Sequence, residues 1–158
     1  AIQPVLRAMA QSGLVLDALI KPLHLPRILA LTQAHPDLTV VVDHGAKPLI
    51  DAAAMSAWAE SMKQLADQTN PDKVVCKLSG LWTEAPAGQP VEVVRPWCEA
   101  LLAIWGARRL LWGSDWPVLE LAGNGADWRH LTLDVLRKRS PQEQADVLGG
   151  NARRIYRL

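Results

Sequence analysis

The sequence has few of the features that mark nucleic-acid-binding, membrane or secreted proteins. Its net charge is only +1 over 158 residues and its Lys and Arg residues are dispersed, so it lacks the basic patch that binds nucleic acid or anionic lipid. It shows no signal peptide and no apolar stretch of membrane-spanning length, and we expect a soluble, cytoplasmic protein. Its two cysteines, Cys76 and Cys98, fit neither a disulfide framework nor a C-x-x-C metal motif, which predicts buried free thiols.

The chain also lacks low-complexity segments and linkers. With 49% hydrophobic residues it is long enough to bury one core, and we expect residues 1–158 to form a single domain or part of one. It opens on Ala-Ile-Gln-Pro without an initiator Met, which favours a fragment or a trimmed chain.

What the sequence does contain is an alternation of short apolar runs and amphipathic segments. This pattern is typical of parallel βα units with right-handed crossovers, and four such units amount to the C-terminal half of an eight-stranded barrel. An open sheet is the alternative, with its edge covered by another copy in a homo-oligomer or by an absent N-terminal half. The predicted strands are Leu14–Ile20, Thr39–His44, Lys73–Gly80 and Leu110–Trp112, and the predicted helices are Ile2–Gln11, Leu25–Ala34, Met55–Gln68, Val93–Trp105, Asp127–Arg137, a helix from Ser140 to the Gly149-Gly150 stop, and a short one from Asn151.

Polar side chains follow two of these strands directly. His44 follows Val40-Val41-Val42-Asp43, and Asp115 follows Leu110-Leu111-Trp112-Gly113-Ser114. Because the carboxyl ends of parallel strands meet at one rim, we expect an imidazole and a carboxylate to converge there. Asp115 can be a metal ligand, a base that takes a proton from water, or a loop cap, and the expected proximity of His44 favours a hydrolytic centre.

Other residues near this rim have two interpretations each. Lys77, near the end of the third strand, is either a snorkelling strand-end lysine or a contact for an anionic substrate group. Trp82 and Trp116 are candidates for the wall of a pocket for a flat or sugar-like ligand, whereas Trp112 fits the core. The segment from Trp82 to Pro90 is longer than an ordinary βα connection and is a candidate lid.

Four motifs in order resemble the amidohydrolase 2 family, and in particular its branch of sugar-lactone and 2-pyrone-4,6-dicarboxylate lactonases. The resemblance covers nearly the whole chain. The motifs are Val41-Val42-Asp43-His44-Gly45-Ala46-Lys47-Pro48, Cys76-Lys77-Leu78-Ser79-Gly80-Leu81, Arg109 to Val118 around Gly113-Ser114-Asp115, and Asn151-Ala152-Arg153-Arg154-Ile155-Tyr156.

The resemblance implies a distorted TIM barrel in which His44 matches the histidine of strand 5 and Asp115 the aspartate of the last strand. It leaves two options open: one divalent, zinc-like ion held by Asp115 and His44, or catalysis without a metal. The family's His-x-His pair is absent from this sequence, and Lys77 stands where many members have another histidine, which speaks against a binuclear centre.

The implied activity is hydrolysis of a lactone, with Asp115 and His44 as catalytic residues and Lys77, Trp82 and Trp116 as substrate contacts. The expected partner is a small-molecule substrate, without nucleic acid or membrane. Two alternatives stay open: a metal-dependent decarboxylase of the same family, and a non-catalytic, truncated barrel domain that only binds.

Overall fold

A single parallel sheet organises the chain, which a computed structural model describes over residues 2–158. The four strands pair in chain order, so each crossover returns to the neighbouring position in the sheet. The predicted half-barrel arrangement of parallel strands alternating with helices is confirmed, although each strand except the last is shorter than its apolar run. The strands are β1 (Val15–Ala18), β2 (Thr39–Val42), β3 (Val74–Leu78) and β4 (Leu110–Trp112).

Seven α-helices accompany the strands in residues 2–158: α1 (Gln3–Gln11), α2 (Leu25–Ala34), α3 (Ala52–Asp67), α4 (Arg95–Trp105), α5 (Gly125–Leu136), α6 (Pro141–Ala145) and α7 (Asn151–Tyr156). Two of them begin earlier than predicted because capping side chains precede them. Asp51 accepts a hydrogen bond from the backbone N–H of Ala53, and Asn124 from that of Asp127. None of the described helices is long and apolar enough to cross a membrane.

The C-terminal helical region differs from its prediction. The helix that Ser140 caps ends at Ala145, and residues Asp146–Gly150 form a π-helical turn that leads into α7, with Gly149 outside helical geometry. The Asn151 side chain then donates hydrogen bonds to the carbonyls of Ala107 (2.7 Å) and Leu110 (2.8 Å), which ties α7 to the start of β4.

The two faces of the sheet are buried against different partners. Since side chains alternate along a strand, every second residue belongs to the outer face, which packs against helices α2 to α5 in the main core. On the other face, called the inner face below, Val41, Val75 and Leu111 contact Ile155 of α7. The inner face therefore holds a small apolar layer at its middle and leaves its carboxyl end to polar groups.

Candidate active site

His44 is held at the carboxyl end of β2 by an unusual backbone turn. Residues His44 to Lys47 all have positive φ angles, between 48° and 63°. Left-handed geometry costs a non-glycine residue roughly 1–2 kcal/mol, so surrounding contacts have to maintain it. One of them is the indole N–H of Trp58, which donates to the Gly45 carbonyl at 2.8 Å.

Asp115 reaches the same rim from β4 and also has a positive φ, 61°. The preceding turn is fixed by the indole N–H of Trp128, which donates to the Gly113 carbonyl at 2.9 Å. The Ser114 hydroxyl accepts from the backbone N–H of Trp116 at 3.2 Å, which closes a local turn around the aspartate.

The structure brings these two side chains together. Asp115 Oδ1 lies 3.5 Å from His44 Nε2. The Asp115 side chain is 13% exposed and the His44 side chain 19% exposed, so both remain accessible to a small molecule. An imidazole and a carboxylate from strands two positions apart in the sheet thus face each other at its carboxyl end.

Ser79 is a third member of this site, whose role sequence reasoning missed. Its buried hydroxyl lies 2.8 Å from His44 Nδ1, which is the ring nitrogen that does not face Asp115. The strand register explains this position. Leu78 of β3 pairs with Trp112 of β4, so the next residues along the chain, Ser79 and Gly113, lie side by side. The signal in the sequence was its place two residues after Lys77, on the same face of β3.

Lys77 lies on the inner face in contact with two carboxylates. Its Nζ is 2.6 Å from Asp43 Oδ1 and 3.0 Å from Asp17 Oδ1, and the Tyr156 hydroxyl donates to the same Asp17 oxygen. Burial disfavours the charge on Lys77, but the hydrogen bonds to Asp43 and Asp17 outweigh it and raise the pKa of the ammonium group. Lys77 is therefore cationic at neutral pH, and an anionic substrate group would compete with these two carboxylates for it.

The tryptophans predicted to line a pocket lie in different environments. Trp82 is only 6% exposed, and its indole N–H donates to the Gln89 carbonyl at 2.9 Å, so it anchors the β3–α4 loop. Trp116 follows Asp115 and is 71% exposed, and its indole N–H donates to the Glu120 carboxylate. Trp112 is partly buried against the core, as expected.

Lys47, in the loop after β2, has a defined partner. It forms an ion pair with Glu84, and this pair links the loop after β2 to the loop after β3. The two loops that flank His44 and Ser79 are therefore joined to each other at the rim.

His44 and Asp115 are spaced as ligands of one divalent ion would be. A separation of 3.5 Å suits two ligands of one tetrahedral zinc, which lie about 3.3 Å apart at ordinary bond lengths. Within residues 2–158, however, no cluster of three or more His, Cys, Asp or Glu side chains could hold a metal, and catalytic zinc sites usually take three protein ligands. Among the described residues, this pair therefore offers at most two of the ligands that such a site needs.

Neither cysteine belongs to the site. Cys76 and Cys98 are free and fully buried, as predicted, and burial raises the pKa of both thiols well above the ordinary range. They are unreactive core residues.

Comparison with known proteins assigns the family. Residues 2–158 match the Amidohydro_2 family of amidohydrolases. The chain belongs to this family.

Within the amidohydrolases, two curated relatives are L-fucono-1,5-lactonases. The chain is 42% identical to the protein from Burkholderia ambifaria, over 99% of this chain and 54% of the relative. It is 33% identical to the protein from Burkholderia multivorans, over 91% of this chain and 51% of the relative. The chain thus spans about half the length of the curated relatives it matches.

A solved structure also supports the assignment to the amidohydrolase family. The amidohydrolase from Burkholderia multivorans crystallised with bound zinc superposes with a TM-score of 0.88 at 32% identity, covering 97% of this chain and 56% of that one. The partial barrel is therefore a known amidohydrolase substructure, and a metal ion is found in that relative.

Proposed function

We propose that this amidohydrolase hydrolyses a lactone, most closely one of the aldonolactone type. The observation that carries the proposal is the 42% identity to an L-fucono-1,5-lactonase across 99% of the chain. The facing pair of Asp115 and His44 supports it, because lactone hydrolysis needs a base for water and a donor for the carbonyl oxygen.

In the proposed reaction, Asp115 takes one proton from a water molecule, and the water oxygen forms a bond to the lactone carbonyl carbon. The His44 Nε2–H donates to the carbonyl oxygen while negative charge develops on it. The ring C–O bond then breaks, and the proton held by Asp115 passes to the departing ring oxygen. The product is an open-chain hydroxy acid, which releases a proton at neutral pH.

A divalent ion, when bound, would be held by Asp115 and by His44 Nε2 in place of its proton, and would then supply the polarisation of the carbonyl or the water. Trp116 is the proposed stacking surface for the sugar ring, since it is exposed beside Asp115. Lys77 is proposed as the contact for an anionic substrate group, and Trp82 as a wall residue that acts through the loop it anchors.

The proposal extends to the setting of the enzyme. Two reduced, buried thiols fit a cytoplasmic protein. Residues 1–158 are proposed to form one partial barrel domain, since the relatives are about twice as long. The β1 edge, which pairs only with β2 among the described strands, would be covered by the other half of a barrel or by a second copy in a homo-oligomer.

The test is an assay of the natural, full-length protein against a panel of sugar lactones, followed by proton release. Asp115→Asn should lower kcat by about 10²- to 10⁴-fold, since it removes the base. The matched control is Asp37→Asn, because this aspartate is exposed in a turn outside the site, and it should leave the rate unchanged.

Three results would contradict the proposal. Undiminished turnover by folded Asp115→Asn would exclude the aspartate as the base. Release of carbon dioxide from carboxylated substrates without lactone hydrolysis would favour the decarboxylase alternative. Thermal stabilisation by lactones without any turnover would indicate a binding domain.

A further inference from the structure

Ser79 and His44 lie in a narrow space, called the slot below, which is bordered by Gly80 and Gly113. A Cβ added at Gly80 would lie 2.5 Å from His44 Nδ1, and one added at Gly113 would lie 3.3 Å from the Ser79 Cβ. Real Cβ atoms do not approach a ring at the first of these distances, so a side chain at Gly80 would displace the imidazole. The absence of a side chain at Gly80 therefore leaves the room that the imidazole needs beside the Ser79 hydroxyl.

Within residues 2–158, the Ser79 hydroxyl has a single hydrogen-bond partner, His44 Nδ1 at 2.8 Å, and the serine is only 2% exposed. On the other side of the ring, Nε2 faces Asp115 Oδ1 at 3.5 Å. A carboxylate oxygen can only accept, whereas a serine hydroxyl can donate or accept. The two environments of the ring are therefore not equivalent.

We infer that Ser79 is a positioning residue that fixes both the orientation and the tautomer of His44. In the metal-free protein the Ser79 hydroxyl donates to Nδ1, and the single proton of the neutral ring then sits on Nε2, on the Asp115 side of the ring, where the substrate carbonyl would bind. This inference rests on the proposed function for its catalytic consequence, because lactone hydrolysis needs a donor at Nε2. Its structural content, the position of the proton, is independent of any substrate.

The decisive measurement is long-range ¹H–¹⁵N NMR of the imidazole nitrogens in the natural protein, treated with a metal chelator and kept at mildly alkaline pH. The chain has four histidines, and the His44 signals are assigned by their loss in His44→Gln. We expect protonated Nε2 and an Nδ1 that is unprotonated and accepts a hydrogen bond. Protonated Nδ1 in the unsubstituted protein would overturn the inference, whatever the variants do.

Three substitutions extend the test. Ser79→Ala should shift the Nδ1 resonance toward that of a ring without a hydrogen bond and let the tautomers mix. Ser79→Thr, which keeps the hydroxyl, should retain the original spectrum. The control is Ser56→Ala, at an exposed serine of α3, which removes a hydroxyl away from the slot and should change none of the His44 signals.

Kinetics supply the second readout. Ser79→Ala should lower kcat on the lactone by about 10- to 100-fold, the usual cost of removing the partner that orients a functional histidine, with KM within about twofold. Ser79→Thr should restore most of kcat. An Ala variant with unaltered His44 signals and unaltered kcat would overturn the inference. If the natural protein hydrolyses no lactone, the proposed function fails, while the NMR result still decides the role of Ser79.

Discussion

The two faces of the sheet are built from the same strands but have opposite chemistry. Along β3 and the residue that follows it, Cys76 and Leu78 point to the outer face and are completely buried among helices, whereas Lys77 and Ser79 point to the inner face and make polar contacts. The outer face contributes the large apolar core. The inner face has only one thin apolar layer, around Val75, with charged groups beside it and beyond it.

The difference shows how the fold divides stability from chemistry. Val42 of β2 pairs with Cys76 of β3, so the next residues, Asp43 and Lys77, lie side by side. The polar groups of these neighbouring strands therefore meet at the same level of the sheet. The cost of their desolvation is offset because each charge has an opposite charge as its neighbour. Substitutions on the two faces should therefore fail in different ways.

The outer face should be the more sensitive to loss of volume. Leu78→Ala removes a completely buried side chain and should lower the free energy of unfolding by about 2–5 kcal/mol, measured by denaturant titration. The control is Leu121→Ala, at a side chain 84% exposed, which should change it by less than about 0.5 kcal/mol. Equal effects of the two substitutions would contradict the assignment of Leu78 to the core.

The inner face should be sensitive to loss of charge. Lys77→Met leaves the Asp43 carboxylate without its cation and should cost about 1–2 kcal/mol, a value reduced by the partial exposure of the lysine. Adding Asp43→Asn should recover part of this loss. A double variant that is less stable than Lys77→Met alone would show that the pair is not the cause.

The same ion pair has a defined pH dependence. Because the pKa of Lys77 is raised in the folded protein, its stabilisation is complete below the unfolded value, about 10.4, and is lost as the pH rises through the folded value. The difference in unfolding free energy between the natural protein and Lys77→Met should therefore be constant from about pH 7 to about pH 10. A decline that begins well below the unfolded pKa would contradict the raised pKa.

Tyr156 should give a smaller, spectroscopically visible effect. Burial and the hydrogen bond to Asp17 raise its pKa to about 12, so ultraviolet titration of this single tyrosine should show ionisation near pH 12 in the folded protein. The unfolding free energy should fall between about pH 10 and 12, as the unfolded tyrosine ionises first. Tyr156→Phe should cost about 0.5–1 kcal/mol. Titration at the ordinary tyrosine value, about 10, would exclude the contact.

The smallest effect is expected for an ion pair away from both faces. Lys63 and Asp67 form an exposed pair one helical turn apart on α3. Lys63→Ala should change the unfolding free energy by less than about 0.5 kcal/mol, far less than Lys77→Met, although both remove a lysine bound to a carboxylate. An equal loss of unfolding free energy at the two positions would mean that burial on the inner face does not strengthen the ion pair of Lys77.

Much of the fold was predictable because local patterns encode it. Apolar runs ended by glycine or polar residues marked all four strands, and their alternation with amphipathic segments indicated parallel pairing. Boundaries were less accurate, since the caps Asp51 and Asn124 lie ahead of the periodic apolar residues that marked α3 and α5. The Gly149-Gly150 pair marked a real irregularity, but the chain passes through it in a π-helical turn.

The site was only partly predictable. The ends of β2 and β4 pointed to His44 and Asp115, because parallel strands deliver their carboxyl ends to one rim. The partners of these residues depend on the register between strands and on the C-terminal helix. Tyr156, for example, meets Asp17 across 139 residues of sequence, and no local pattern records that contact.

By itself, the sequence determined the order of strands and helices, the family and the two strand ends that carry an imidazole and a carboxylate. The tertiary structure decided which nitrogen of His44 faces Asp115, that Ser79 binds the other, and that Lys77 is held between Asp43 and Asp17. The physical reason is that periodicity is a property of neighbouring residues, whereas hydrogen bonds and ion pairs form wherever strand register brings distant side chains within about 3 Å.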